Sequence, residues 1–269
     1  MKTERLLAVD IGNSHSVSGV FVDGRLAARW RLKSDRDRTA DELAIRYHSL
    51  FSMAGLSLGE VNGFVMAGVV PTIETAWMQF VEKYLADTLS APPVTVTSET
   101  DCGISIETDN PAEVGADRIV NSVAAWSRYH DNLIVVDFGT AITFDCVTDR
   151  GQYVGGAILP GISISLDALA GRTSKLPRID ISRAPRSTIG RNTVDAIRSG
   201  MLHGFGGMID KLTTDLAADL APGRNRVTVV ATGGMAHLIA PYAATIDEID
   251  PMLTLTGLRL IHERVRSHG

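Results

Sequence analysis

Short apolar runs alternate along the chain with longer stretches in which apolar residues recur every three or four positions. The short runs end at glycine, proline or polar residues and predict β-strands, whereas the longer stretches predict amphipathic helices. In the first half of the chain this pattern predicts strands over 6–10, 16–22, 25–32, 62–70 and 94–97, and helices over 39–54, 73–84 and 115–129.

The second half of the chain repeats this order. It predicts strands over 133–137, 140–147, 151–159 and 226–231, and helices over 192–220, after Gly234 and from about residue 253. Three strands followed by alternating helices and strands, twice over, predict an α/β fold with mixed sheets.

Two segments of the chain also resemble each other residue by residue. Leu7–Gly12 and Ile134–Gly139 each form an apolar strand that ends in Asp and a glycine turn. At the offset that joins Asp10 to Asp137, the identical pairs are Val9, Asp10, Gly12, Val20 and Gly24 with Val136, Asp137, Gly139, Val147 and Gly151. An internal repeat of domain length predicts two similar halves, which we expect to face each other across a cleft.

Composition narrows the class of protein. The chain has 269 residues, 45% hydrophobic and 21% charged, and 26 Lys and Arg against 31 Asp and Glu give a net charge of −5. These values exclude a disordered or collagen-like chain. The acidic balance, with only 6% aromatic residues, argues against nucleic acid as a partner.

Three further features bear on the compartment. Cys102 and Cys146 have no metal-ligand spacing and suit a reducing cytosol. The N-terminal apolar run is too short for a signal peptide. The charge-free stretch 227–246 contains glycines and a proline that fit strand, turn and helix better than a membrane span. We therefore expect a soluble, cytoplasmic protein with no membrane partner.

Three segments carry candidate phosphate-binding chemistry. Asp10-Ile-Gly-Asn-Ser14 places an acid before a glycine turn, whose N–H groups approach a phosphate closely and whose acid suits Mg²⁺; the alternative is an ordinary hairpin turn. Asp137-Phe-Gly-Thr140 repeats the pattern, and two such turns predict a clamp for a polyphosphate and its metal. Val229-Val-Ala-Thr-Gly-Gly234 leads a strand into a helix start and suits either an adenosine or phosphate contact or a tight turn.

Polar residues at two predicted helix starts are further candidates. Asp117 lies where a helix N-terminus favours an ionised carboxylate, which can accept a hydroxyl proton; alternatively it only stabilises the helix dipole. Thr193 opens the longest helix, where a capping or first-turn hydroxyl is the alternative to a ligand contact. The basic run over 172–191 indicates either a solvated loop or a surface that concentrates anions.

Five sequence motifs occur one after another along the chain. They are Asp10-Ile-Gly-Asn-Ser, Gly115-Ala-Asp-Arg118, Asp137-Phe-Gly-Thr-Ala, Gly155-Gly-Ala-Ile-Leu-Pro-Gly161 and Gly190-Arg-Asn-Thr193. From about residue 6 to its end the chain resembles the type III pantothenate kinases, of the superfamily that includes acetate kinases, sugar kinases, heat-shock chaperones and actin. The first and third motifs are shared across the superfamily, whereas the segment 110–121 and Gly155–Gly161 are specific to the family.

The resemblance implies a fold and an activity. The fold is two RNase H-like domains, expected at 1–118 and 119–269 with the last helix packing back on the first domain, and with ATP bound between them. The activity is ATP-dependent phosphorylation of the pantothenate hydroxyl, the first step of coenzyme A synthesis. The resemblance also implies a homodimer, Mg²⁺ with ATP, and a monovalent cation, K⁺ or NH₄⁺.

The resemblance also implies roles for individual residues. Asp117 is the expected catalytic base, and Asp137 the expected K⁺ ligand; Asp10 is a candidate Mg²⁺ ligand. Arg118 suits the pantothenate carboxylate, which a guanidinium holds with two hydrogen bonds. The expected pantothenate-binding residues are Gly115, Ala116, Asp117, Arg118 and Thr193, and the expected ATP-binding residues are Asp10, Ile11, Gly12, Asn13, Ser14, His15, Ser16, Val17, Thr140, Gly233 and Gly234.

The chain departs from the family pattern at three positions. Ser14 stands where Thr is frequent, His15 is unusual, and Thr108 stands where many members carry an aromatic residue. Two other functions stay open: a sugar kinase or phosphohydrolase with the same clamp, and a non-catalytic accessory protein that affects gene regulation. The intact Asp117–Arg118 pair favours the kinase.

Overall fold

The computed structural model of the protein describes residues 3–223 and 227–268. Its strands are β1 (Arg5–Ile11), β2 (His15–Val22), β3 (Arg25–Lys33), β4 (Gly63–Gly68), β5 (Val94–Thr95), β6 (Ser105–Ile106), β7 (Leu133–Phe138), β8 (Ala141–Val147), β9 (Gln152–Pro160), β10 (Thr228–Thr232) and β11 (Glu248–Ile249). Its α-helices are α1 (Ala40–Met53), α2 (Pro71–Tyr84), α3 (Ala116–Tyr129), α4 (Ile162–Gly171), α5 (Thr193–Leu220), α6 (Ala236–Ile239) and α7 (Leu253–His268). Short 3₁₀ helices lie at Leu58–Glu60, Pro111–Glu113 and Ala240–Tyr242.

Every predicted strand and helix has a counterpart whose bounds differ by two residues or fewer. The strand predicted over 226–231 begins at residue 228, and residue 226 lies outside the described residues. The sequence pattern did not predict α4, β6 or β11.

The chain forms two compact units that do not follow the sequence in single blocks. Among the described residues, unit one contains 3–104, 109–124 and 254–268, and unit two contains 105–108, 125–223 and 227–253. The domain boundary expected after residue 118 stays a prediction.

Unit one is built on a sheet of strand order β3-β2-β1-β4-β5. β1 pairs antiparallel with β2 and parallel with β4, so the carboxyl ends of β1 and β4 lie at the same edge of the sheet. Leu7, Val9 and Ile11 point to one face of β1, where they join a core with residues of α1 and α2. In that core the rings of Tyr47 and Trp77 meet edge to face, with centroids 4.8 Å apart.

Local sequence signals mark the N-terminal ends of the two helices in this core, α1 and α2. Thr39 caps α1 in a capping box with Glu42, in which each side chain accepts a hydrogen bond from the backbone N–H of the other residue. Pro71 is the first residue of α2, where a missing N–H costs no helical hydrogen bond. Pro71 therefore marks the point where the segment that follows β4 ends and α2 begins.

The last helix, α7, belongs to unit one and packs closely on α3. A Cβ atom on Gly257 would overlap the Val120 carbonyl oxygen, so the two helix backbones approach as only glycine permits. Beside this contact Thr254 Oγ1 donates a hydrogen bond to Asn121 Oδ1 at 2.7 Å.

Unit two is built on a sheet of strand order β11-β10-β7-β8-β9-β6. β7 pairs antiparallel with β8 and parallel with β10. Val136 and Phe138 of β7 join Leu202 and Phe205 of α5 in its core. β7 therefore has the position in unit two that β1 has in unit one, since each has an antiparallel neighbour on one side and a parallel neighbour on the other. The predicted α/β fold with mixed sheets is confirmed. No described helix is both long enough and apolar enough to cross a membrane.

Candidate active site

The turn between β1 and β2 contains the first predicted phosphate-binding motif. The Gly12 N–H donates to the His15 carbonyl oxygen at 3.1 Å, and the Ser34 hydroxyl donates to the Gly12 carbonyl oxygen at 2.6 Å. A Cβ atom on Gly12 would lie 2.8 Å from the His15 carbonyl oxygen, closer than real Cβ contacts. The tight turn therefore requires glycine at position 12.

The predicted ATP-binding residues of this turn differ in exposure. Asp10 is half-buried at the end of β1, whereas Asn13, Ser14 and His15 are exposed. Burial, together with the positive charges of Arg31 and Lys33, lowers the pKa of His15. These effects favour the neutral form of the His15 side chain.

Ser16 and Val17 continue from the turn into β2. Ser16 is buried, and its hydroxyl lies 3.1 Å from the Ser34 hydroxyl, so this side chain supports the turn from inside unit one. Val17 pairs with Asp10 across the two strands, and Ile11 is buried in the core.

Three segments of unit one meet at the carboxyl edge of its sheet. Ile11 pairs with Gly68, and one residue further the Val69 N–H donates to the Ile11 carbonyl oxygen at 3.1 Å. The Val69 side chain in turn lies beside Gly115, immediately before α3. The Asp10 turn, the end of β4 and the start of α3 are thus neighbours within unit one.

Asp117 lies in the first turn of α3, at the same edge. Its Oδ1 atom accepts a hydrogen bond from the Arg118 N–H at 2.9 Å. Burial raises the pKa of Asp117, while hydrogen bonds from the N–H groups of Arg118 and of Asp117 itself and the charge of Arg118 act in the opposite direction. A Cβ atom on Gly115 would lie 2.6 Å from Asp117 Oδ1, so the carboxylate needs glycine there.

In unit two, Asp137 lies beside Gly233, the first glycine of the predicted Gly233–Gly234 turn. Asp137 pairs with Thr232 of β10, and the next residue is Gly233, whose φ is +92°. A Cβ atom on Gly233 would overlap Asp137 Oδ1 and would lie 2.6 Å from the Phe138 nitrogen. Gly233 is therefore required both by its backbone conformation and by the close approach of Asp137.

The other predicted residues of unit two lie at exposed turns and at a helix start. Thr140 and Gly234 are exposed, and the Thr140 carbonyl oxygen accepts a hydrogen bond from the Gly161 N–H at 3.1 Å. Thr193 is the first residue of α5, and its neighbour Asn192 is the cap, accepting from the Asp195 N–H at 2.9 Å. The Thr193 side chain is therefore a first-turn hydroxyl that α5 does not need as its cap.

Two residues that hold these turns in place are not marked by any pattern in the sequence. Ser34 supports the Asp10 turn from the end of β3, and Val69 links that turn to Gly115. Neither residue belongs to a motif. The register of β2 on β3, which pairs His15 with Lys33, is the signal that would have brought Ser34 beside the turn.

Comparison with known proteins now decides the family. Residues 6–215 match the family model of type III pantothenate kinase. A type III pantothenate kinase of Desulfotalea psychrophila is 50% identical over 258 residues, which cover 95% of this chain and 97% of that one. The chain belongs to the type III pantothenate kinase family. A second type III pantothenate kinase, from Desulfatibacillum aliphaticivorans, is 44% identical over 97% of this chain and 98% of its own length.

Solved structures confirm the predicted superfamily fold of this type III pantothenate kinase family member. A ROK family glucokinase from Streptomyces griseus, in complex with glucose and AMPPNP, aligns with a TM-score of 0.56 and 13% identity over 98% of this chain and 99% of the other. A ParM protein without ligand aligns with a TM-score of 0.52 and 11% identity over 98% of both chains. At these identities the likeness establishes the fold.

Proposed function

We propose that the described turns carry out the activity for which the family is named. The chain is an ATP-dependent kinase that transfers the γ-phosphoryl group to the hydroxyl of pantothenate, the first step of coenzyme A biosynthesis. The observation that carries the residue assignment is the position of Asp117. It lies in a helix first turn at the same sheet edge as the Asp10 turn.

Asp117 is the proposed catalytic base. Its carboxylate accepts the proton of the pantothenate hydroxyl while the hydroxyl oxygen forms a bond to the γ-phosphorus and the bond from that phosphorus to ADP breaks. Burial makes this carboxylate more basic than an ordinary aspartate, and the N–H groups beside it stabilise its ionised form. Both effects suit a group that must be ionised before the reaction and take up a proton during it.

Gly115, Ala116 and Arg118, with Thr193 of unit two, are the proposed pantothenate contacts. Arg118 follows the base directly, and its guanidinium offers two parallel hydrogen bonds to the carboxylate of pantothenate. Thr193 offers a hydroxyl in the first turn of α5, where Asn192 already performs the capping. These assignments account for the polar groups that pantothenate carries in addition to its reacting hydroxyl.

ATP is proposed to contact residues 10–17, Thr140, Gly233 and Gly234. The N–H groups of a glycine turn suit phosphate oxygens, and Gly234 is exposed at the turn after β10. A kinase of this family uses ATP together with a divalent metal. Mg²⁺ typically takes one or two carboxylates together with substrate phosphates, and the single carboxylate of Asp10 fits that donor set.

Asp137 is the proposed ligand of a monovalent cation, K⁺ or NH₄⁺. Its side chain is half-buried near the end of β7, at the position to which the family resemblance assigns the cation. We further propose that the enzyme is a homodimer and acts in the cytoplasm.

Replacing the proposed base tests this assignment. Asp117→Asn keeps the size of the side chain but cannot accept the proton, so we expect pantothenate-dependent ADP release to fall by at least about 100-fold. Glu113→Gln is the matched control, because Glu113 is exposed four residues earlier and its carboxylate accepts a hydrogen bond from the Asn110 side-chain amide at 2.8 Å. Near-normal turnover of Asp117→Asn would remove Asp117 from the role of base.

The same assay separates the other functions and the cation proposal. ADP release without pantothenate would indicate a phosphohydrolase, and release that requires a sugar would indicate a sugar kinase. No turnover in K⁺ buffer with pantothenate would favour an accessory protein. Equal turnover in K⁺ and Na⁺ buffers would contradict the proposed selectivity of the Asp137 site.

A further inference from the structure

Val69 is a half-buried valine with contacts on two sides. One side packs against the core of unit one. The other side lies beside Gly115. A Cβ atom added to Gly115 would be 3.7 Å from Val69 Cγ1 and 2.6 Å from Asp117 Oδ1. The valine methyl group and the carboxylate oxygen therefore lie over the same glycine, within about 6 Å of each other.

The backbone of Val69 is fixed as firmly as its side chain. Its N–H donates to the Ile11 carbonyl oxygen at 3.1 Å, which extends the β1–β4 ladder by one bond. Val70, the next residue, is buried in the core and occupies the N-cap position of α2 without a side-chain hydrogen bond. A valine held in this way is also stiff at χ1 because it is β-branched, so its methyl groups have one defined place beside Gly115.

We propose that Val69 is a positioning residue for Asp117, excluding water from one side of the carboxylate and confining it against Gly115. This inference rests on the proposed role of Asp117 as the base. Val69 itself does not touch the reacting atoms in this assignment. It acts on the basicity of the carboxylate and on its rotamer.

The charges around Asp117 act together with this apolar cover. Asp10 on β1, His15 in the turn that follows it, Glu74 at the start of α2, Glu113 before α3 and Arg118 beside Asp117 are titratable or charged groups at this end of unit one. The Glu74 side chain folds back over Gly68, and Arg118 is the charged group that lowers the pKa of Asp117. Burial outweighs this charge, so a change that admits water should lower the pKa of Asp117 towards that of an exposed aspartate.

Val69→Thr tests the proposal, because threonine has the shape of valine but adds a hydroxyl. Val22→Thr is the matched control: Val22 is half-buried against the same core but pairs with Arg5, at the opposite end of β1 from Asp10. Val69→Ile keeps the apolar cover. We expect Val69→Thr to move the acidic limb of the pH profile of kcat down by roughly half a unit to one unit. We expect KM for pantothenate to stay within a factor of about two, and both other variants to keep the wild-type limb.

A second measurement does not depend on turnover. The ¹³C carboxyl signal of Asp117, identified as the aspartate signal that Asp117→Asn removes, is titrated in the wild type and in the three valine variants. The same downward shift in Val69→Thr alone is expected. An unchanged Asp117 titration in Val69→Thr, or an equal shift in Val22→Thr, would overturn the proposal. If the wild type shows no pantothenate-dependent turnover, the proposed function fails, while this titration still decides the role of Val69.

Discussion

His262, in the middle of α7, is a titratable side chain enclosed in unit one. The residue is 1% exposed, and its ring packs against Gly63, where an added Cβ atom would lie 2.9 Å from His262 Cε1. Its Nδ1 atom is buried without a hydrogen-bond partner in the described part of the chain. Glu4 Oε1 lies 4.0 Å from Nδ1, beyond hydrogen-bond distance, and accepts instead from Arg266 at 2.6 Å. A proton on His262 would therefore be poorly compensated.

This environment makes the stability of unit one depend on pH. Burial, followed by the charge of Arg266, lowers the pKa of His262 from 6.5 to about 4, and Glu263 opposes this only in part. Between pH 6.5 and about 4 the unfolded chain binds a proton that the folded chain does not, so stability falls as the pH falls and is flat above 6.5. At pH 5 the gap of about 1.5 units from the unfolded pKa corresponds to a loss of about 2 kcal/mol. The full shift would correspond to about 3 kcal/mol.

Urea unfolding at pH 7.5 and at pH 5.0 measures this loss. Trp30 and Trp77 lie in unit one and Trp126 in unit two, so a Trp126→Phe background makes tryptophan fluorescence report unit one. In that background we expect His262→Leu to lose about 2 kcal/mol less than the parent between the two pH values. His268→Gln is the control, because His268 is exposed at the end of the same helix. Equal pH dependence in the parent and in His262→Leu would refute the reasoning.

Two glycine substitutions test the close approaches in unit one. Gly115→Ala puts a methyl group 2.6 Å from Asp117 Oδ1, so we expect kcat to fall by about 10- to 100-fold with unfolding by urea little changed; near-wild-type kcat would show that Asp117 tolerates the displacement. Gly257→Ala puts a methyl group into the Val120 carbonyl oxygen, and we expect it to destabilise unit one by about 1–3 kcal/mol with kcat affected less than stability; an unchanged urea midpoint would contradict the close packing of α7 on α3.

The sequence predicted those helices and strands whose own residue pattern specifies their secondary structure. β1 to β3 and β7 to β9 alternate apolar and polar positions between glycine turns, and their predicted bounds lie within one residue of the observed ones. α4 was missed because its sequence, ISISLDALAG, contains β-branched residues, which lower helix propensity. It also lacks a stripe of buried residues at helical spacing, since only Ile162 is buried among its residues. β6 and β11 are two residues long, and they are strands only because β9 and β10 pair with them.

The candidate site likewise has features that the sequence marks and features that only the fold shows. Asp10, Asp117 and Asp137 are candidates because acids at predicted strand ends and helix starts stand out in the sequence, and the family resemblance supplies the expected roles of Asp117 and Asp137. The burial of Asp117 could not be derived from the sequence, since Val69 comes beside Gly115, 46 positions further along the chain, only in the folded unit. A motif therefore locates a carboxylate, whereas its basicity is a property of the fold.

The repeated topology explains how one scaffold gives its two edges different chemistry. Asp10 pairs with Ala67 and Asp137 pairs with Thr232, so Gly68, the last residue of β4, and Gly233, the first residue after β10, stand at equivalent positions relative to the two acids. The following residues are Val69 in unit one and Gly234 in unit two. Val69 lies next to Gly115 in unit one, whereas Gly234 is exposed in unit two. The residue after each glycine therefore differs between the two halves of the repeat: a half-buried valine lies beside the proposed base in unit one, and an exposed glycine is among the proposed ATP contacts in unit two.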